Sequence, residues 1–133
     1  MALGNYVYAI TVTAQANTSS GSPLSHLFPI GDVWLDSVQI VIPSGHRGLT
    51  GLAITNGGTP IIPYGAGTDF LIGDDDRLDY DLGVEVDASF GCIYYNTDSI
   101  RHNFYLRFQG LPMALYGQQL GAQAVTIVPV TAA

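Results

Sequence analysis

Three sets of residues in this chain have types that could do chemistry. The first is acidic: Asp74, Asp75 and Asp76 are contiguous, and Asp79 and Asp81 follow closely. Crowded carboxylates disfavour one another's ionisation until a cation relieves them, and oxygen-rich loops of this kind bind Ca²⁺. Asp74, Asp76 and Asp79 are the candidate ligands. The spacing departs from the EF-hand loop, which places a glutamate at its end. A solvated turn feeding a strand, with Arg77 as local counter-charge, is the simpler expectation, and no metal is assigned. The second set is His26, His46 and His102. No two share the i, i+2 or i, i+4 spacing that aims two imidazoles from one element at one metal. Three separate histidines, at the surface or half-buried, are expected. The third is the lone Cys92, which excludes an intrachain disulfide and a Cys-based zinc site. It lies in the apolar run from Phe90 to Tyr95, as a buried structural thiol would.

Catalytic signatures are missing. There is no Gly-x-Ser-x-Gly elbow and no helix to follow one. Gly65-Ala66-Gly67-Thr68 lacks the Gly-Lys-Ser/Thr ending of a phosphate loop, and the chain has no lysine. Glu85 is the only glutamate, so a carboxylate pair for glycoside cleavage has little to draw on. No catalytic residue and no cofactor is assigned, and the chain is expected not to be an enzyme.

The elements that must position these residues follow a period of two. Tyr6 to Thr13 is a strand rich in β-branched and aromatic residues, ending in the loop chemistry of Asn17 to Pro23. Val33 to Ile42 reads as a long strand with Trp34, Val38, Ile40 and Ile42 on one face and Asp36 as that face's polar exception. Two short apolar runs flank Asn56-Gly57-Gly58, a hairpin signal because a type I′ turn needs positive φ at both central residues. Phe70 to Ile72 is a brief strand. Arg77 to Leu82 alternates, with Leu78, Tyr80 and Leu82 facing one way. Ser89 to Asn96 and Asn103 to Gln109 are strands joined at Thr97-Asp98-Ser99, and Ala124 to Val130 is a last strand. Leu24 to Phe28 and Met113 to Gln119 could each make a helical turn or two, but 16 glycines and seven prolines break every longer helix. The expected fold is all-β: one antiparallel β-sandwich domain over residues 1–133, jelly-roll-like, of about eight strands. The N- and C-terminal ends are expected as extended arms, and residues 14–30 and 110–123 as the long loops or arms. An immunoglobulin-like sandwich is the alternative, without its Cys-Trp-Cys signature.

Composition bounds the partners. Charged residues are 11% of the chain, against about 25% in ordinary soluble domains, while 47% is hydrophobic. Interfaces are poor in Lys and Glu and keep Tyr and Arg, which matches a chain with eight tyrosines, four arginines and no lysine. A net charge of −7 opposes binding to a phosphate backbone, so no nucleic acid is expected. No apolar run reaches the roughly 18 residues of a membrane span, and the first residues lack a basic, then apolar, secretory leader. Adjacent strand residues face opposite ways, so one of Tyr94 and Tyr95 points outward unless both faces are covered. Tyr94, Tyr95, Tyr105 and Arg107 are the interface candidates. Exposed Tyr64 or Trp34 beside them could instead stack on a sugar.

Residues Ile42-Pro43-Ser44-Gly45-His46-Arg47-Gly48-Leu49-Thr50-Gly51, Gly58 to Gly65, Tyr95-Asn96-Thr97-Asp98 and His102 to Arg107 carry a resemblance. Over roughly residues 33 to 110 the chain resembles small β-domain structural proteins of tailed-bacteriophage virions. The shared features are turn glycines and core aromatics, and no catalytic residue comes with them. The resemblance implies a capsid decoration, head-spike or tail-associated protein. It would be assembled in the host cytoplasm, located in the virion and in contact with partners such as a major capsid protein. A homo-oligomer is expected, a trimer favoured, with a host-surface glycan as the alternative ligand of a tail-associated adhesin.

Overall fold

The computed structural model describes residues 6–63 and 70–115. Eight strands follow one another: β1 (Tyr6–Ala14), β2 (Leu24–Leu27), β3 (Val33–Ile42), β4 (Thr50–Asn56), β5 (Thr59–Ile62), β6 (Asp76–Val86), β7 (Phe90–Asn96) and β8 (His102–Pro112). They form two antiparallel sheets, ordered β1-β8-β3-β6 and β2-β7-β4-β5. Within them β1 pairs with β8, β2 with β7, β3 with β6 and β4 with β5. The chain is thus one long hairpin, tip at β4–β5, wrapped so that β3 also meets β8 and β4 also meets β7. That is a jelly roll.

The hairpin tip forms as its residues dictate. Asn56 pairs with Thr59 across Gly57 and Gly58, whose φ values of 63° and 84° suit glycine. Between the sheets, alternate strand positions supply the core, with Phe90 and Phe108 buried 5.2 Å apart, ring centre to ring centre. Phe28 packs on both.

Several expectations change. Leu24–Leu27 is a strand, not a helical turn: it runs along the edge of β7, each residue pairing in register from Tyr94 to Gly91. Leu71 makes only a single bridge, to Leu52. Met113 begins a short helical turn, and the rest of that expected turn lies outside the described residues, as do Tyr64 and the strand expected at Ala124 to Val130.

In β3 the inward residues are Val33, Leu35, Val38, Ile40 and Ile42. A bulge between Leu35 and Ser37 shifts the alternation, so Trp34 faces away from Val38. Its indole N–H donates to Asp36 at 3.2 Å, and both lie on the outer side. Opposite the bulge β6 also inserts a residue, with Gly83 at φ 68°. Elsewhere β6 alternates as read, with Leu78, Tyr80 and Leu82 half-buried and Arg77, Asp79 and Asp81 exposed.

Candidate functional site

The acidic run serves the backbone. One oxygen of Asp74 accepts the N–H groups of Gly45 (2.8 Å) and Arg47 (2.9 Å). Those donors, Arg47 first, hold its carboxyl below the usual range. Asp76 turns back to accept the N–H of Asp74 at 3.0 Å. Asp79 points outward from β6, opposite Gln39. The three candidate ligands therefore have separate surroundings, and among the described residues no group of three or more His, Cys, Asp or Glu side chains is placed to hold a metal.

The same loop brings two histidines together, against the expectation of three separate ones. His46, from the β3–β4 loop, and His102, the first residue of β8, have ring centres 4.5 Å apart, and Phe104 closes on His46 at 4.9 Å. His46 is buried. Its Nε2–H donates to the Asn103 carbonyl (3.0 Å), which can only accept, so Nδ1 accepts the Thr50 hydroxyl (2.7 Å). Burial, with His102 alongside, pushes the His46 pKa down. His102 Nε2 bonds Asp98 at 2.8 Å, and the same carboxylate oxygen meets Arg47 at 3.4 Å. The bond to His102 is the main cause holding the Asp98 carboxyl low.

Asn96 completes the turn as its type allows. Its oxygen accepts the Asp98 N–H (2.9 Å) and its amide donates to the carbonyls of Ala14 and Ile100. This polar knot ties the β3–β4, β5–β6 and β7–β8 connections at one end of the sandwich. The Thr50 hydroxyl within it is fully buried, so it offers a substrate no nucleophile. Sequence spacing missed the knot because 56 positions separate His46 from His102. A signal was present nonetheless: Gly45-His46-Arg47-Gly48 and Asn96-Thr97-Asp98 are polar clusters bordering core strands.

The tyrosine pair corrects another expectation. Tyr94 faces the core, where it is buried. Tyr95 faces the other way but is buried too, lying across Gly51, which has no side chain, and edge-on to Phe70 at 4.9 Å. Neither is available as an interface residue. Tyr105 and Arg107 are presented: Tyr105 is 45% exposed, and Arg107 is exposed beside it on β8.

The registers define the face that carries them. Along its rows, Thr11, Tyr105, Val41 and Arg77 lie side by side, then Ala9, Arg107, Gln39 and Asp79, then Val7, Gln109, Ser37 and Asp81. The half-buried residues of β3 floor a shallow trough between the exposed side chains of β6 and β8. One depression of about 530 Å³ is lined by Ser37, Gln39, Asp79, Asp81, Arg107 and Gln109. Another of about 340 Å³ continues it past Arg107, along Val41 and Tyr105. Among the described residues the ion pairs are Arg47–Asp98 and His102–Asp98, so Arg107, Arg77, Asp79 and Asp81 have no charged partner among those residues.

Cys92 is buried, and desolvation pushes its thiol up to about 12. Among the described residues no helix is long and apolar enough to cross a membrane.

No protein-family model matches the chain, and no curated protein matches it. Among solved structures it is similar to a chain from a structure described as "Bacillus endospore appendages form a novel family of disulfide-linked pili". The two are 13% identical, with a TM-score of 0.45, over 82% of this chain and 88% of that one.

Proposed function

We propose that this protein is a non-enzymatic structural subunit of a tailed-bacteriophage virion, a capsid decoration or head-spike component that works through contacts with copies of itself and with a larger shell. One observation carries the reading: the outer face of β1-β8-β3-β6 presents Tyr105 and Arg107 among Val7, Ala9 and Val41, with no lysine anywhere. Such a face has the residue types that interfaces concentrate. Exposed Leu27, Ile72 and Ile100 lie off this face, in β2 and in loops, and supply apolar contacts for a second neighbour. The resemblance of the central block to virion β-domains gives the proposed location. Particles purified from the source culture and imaged by electron microscopy with an antibody against the chain test this. Regular labelling on the particles is expected; unlabelled particles beside abundant free protein would refute it.

A tail-associated, sugar-binding role is the second reading. Tyr105 is an exposed aromatic that favours it, while burial of Tyr94 and Tyr95 removes two of its stacking platforms. Binding on a glycan array that Tyr105→Ala abolishes would favour this alternative.

A further inference from the structure

From the charge pattern of the outer face, and resting on the assembly reading above, we infer that two copies of this chain pack β1-β8-β3-β6 against β1-β8-β3-β6 about a two-fold axis running along β3. Such an axis, parallel to the strands, keeps each residue's height and exchanges left for right. It therefore lays β8 of one copy on β6 of the other. Row by row, Arg107 meets Asp79 of the second copy, Tyr105 meets Arg77, and Gln109 meets Asp81. Each contact occurs twice, because a two-fold interface is isologous. Two charge pairs, two cation–π contacts and two hydrogen-bonding pairs form together.

Among the described residues the subunit does not make these pairs. Arg107 and Asp79 stand on either side of Gln39, two strand spacings or about 10 Å apart. On the axis itself the residues are Ser37, Gln39 and Val41, each half-buried, so the two sheets can approach. The trough along β3 gives the flanking side chains of the second copy room to interdigitate.

Other axes fit worse. A two-fold running across the strands sets each strand against its own copy. When it passes through the Arg107 row, Arg107 faces Arg107 and Asp79 faces Asp79. An axis along β6 also puts Asp79 on Asp79. An axis along β8 lays β3 on β1, so Gln39 meets Ala9, and leaves the β6 carboxylates without a cation. The β3 axis matches opposite charges at every charged position of the Arg107 row. Aligned sheet packing adds its usual rotation of about 30° without changing which strands face.

The test is a charge swap read by sedimentation velocity over a concentration series. The unsubstituted protein is expected to form a dimer. Arg107→Asp and Asp79→Arg are each expected to weaken it at least about tenfold, and the double variant to recover most of the loss. Both positions are exposed, and circular dichroism checks that each variant folds. Gln39→Arg, which sets two cations together on the axis, is a second and independent way to split the dimer. A monomeric unsubstituted protein, a trimer, or single reversals that leave association unchanged would overturn the inference. Failure here is distinguishable from failure of the virion reading: a monomer still found on particles sinks only the two-fold, and a swap-sensitive dimer absent from particles sinks only the location.

Discussion

At His46 the chain buries an imidazole whose two nitrogens are both committed, one to the Asn103 carbonyl and one to the Thr50 hydroxyl. A second ring, His102, stands 4.5 Å away. An added proton would put charge in a desolvated site, which is why its pKa is lowered from 6.5. The unfolded chain takes up that proton near pH 6.5 and the folded chain resists it, so stability declines as pH falls below about 6.5. Asp74 and Asp98 act lower down. Their carboxyls are depressed from 3.8, so their contribution is complete above that value and is lost as pH falls through and below it. Urea midpoints measured from pH 8 to pH 3 are expected to fall in two stages. His46→Gln should flatten the upper stage, and Asp98→Asn should reduce the lower one while lowering stability at neutral pH. None of this was legible in sequence spacing, because the partners converge from three connections and spacing reports only neighbours on one element. The thiol was legible: a lone cysteine inside an aromatic β-run has few places to go but the core.

Among the elements, those with a clear alternation and a turn signal at their ends were readable, and the exceptions have local causes. β2 carries Leu24, Ser25, His26 and Leu27, too short and too exposed to show a period, and its strand form comes from pairing with β7. β3 defeats a strict alternation because the bulge after Leu35 turns Trp34 outward. That bulge rests on two glycines for different reasons. Gly83 supplies a left-handed backbone on β6 at φ 68°. Gly110, opposite Leu35 on β8, supplies space, since a methyl group there would stand 2.2 Å from the Trp34 carbonyl oxygen. Gly83→Ala is expected to cost about 1 kcal/mol through its backbone conformation. Gly110→Ala should cost more, about 2–3 kcal/mol, because the obstacle is main chain and the sheet must part to admit it. Chemical denaturation of both variants checks the order. Equal costs, or a milder effect at Gly110, would mean that the bulge relaxes easily.

For the whole molecule, the period of two and the strand spacing pointed to an all-β, jelly-roll-like sandwich of about eight strands, and the described residues form eight in jelly-roll order. The outward role of Tyr105 and Arg107 also followed from alternation along β8. The same reasoning failed for Tyr95, because alternation reports which way a side chain points and says nothing about what covers it; Phe70 does so across Gly51. The order of the strands has a further consequence. Each of the four nested pairs joins a strand from the first half of the chain to one from the second, meeting at the tip between Gly57 and Gly58. Severing the chain there yields two fragments, each carrying half of both sheets and neither holding a complete ladder. Each fragment alone should be unstructured, and mixing them should restore the near-ultraviolet signal of the packed aromatics. The protein is, in effect, already divided into two complementary pieces, each supplying the other's missing neighbours strand by strand.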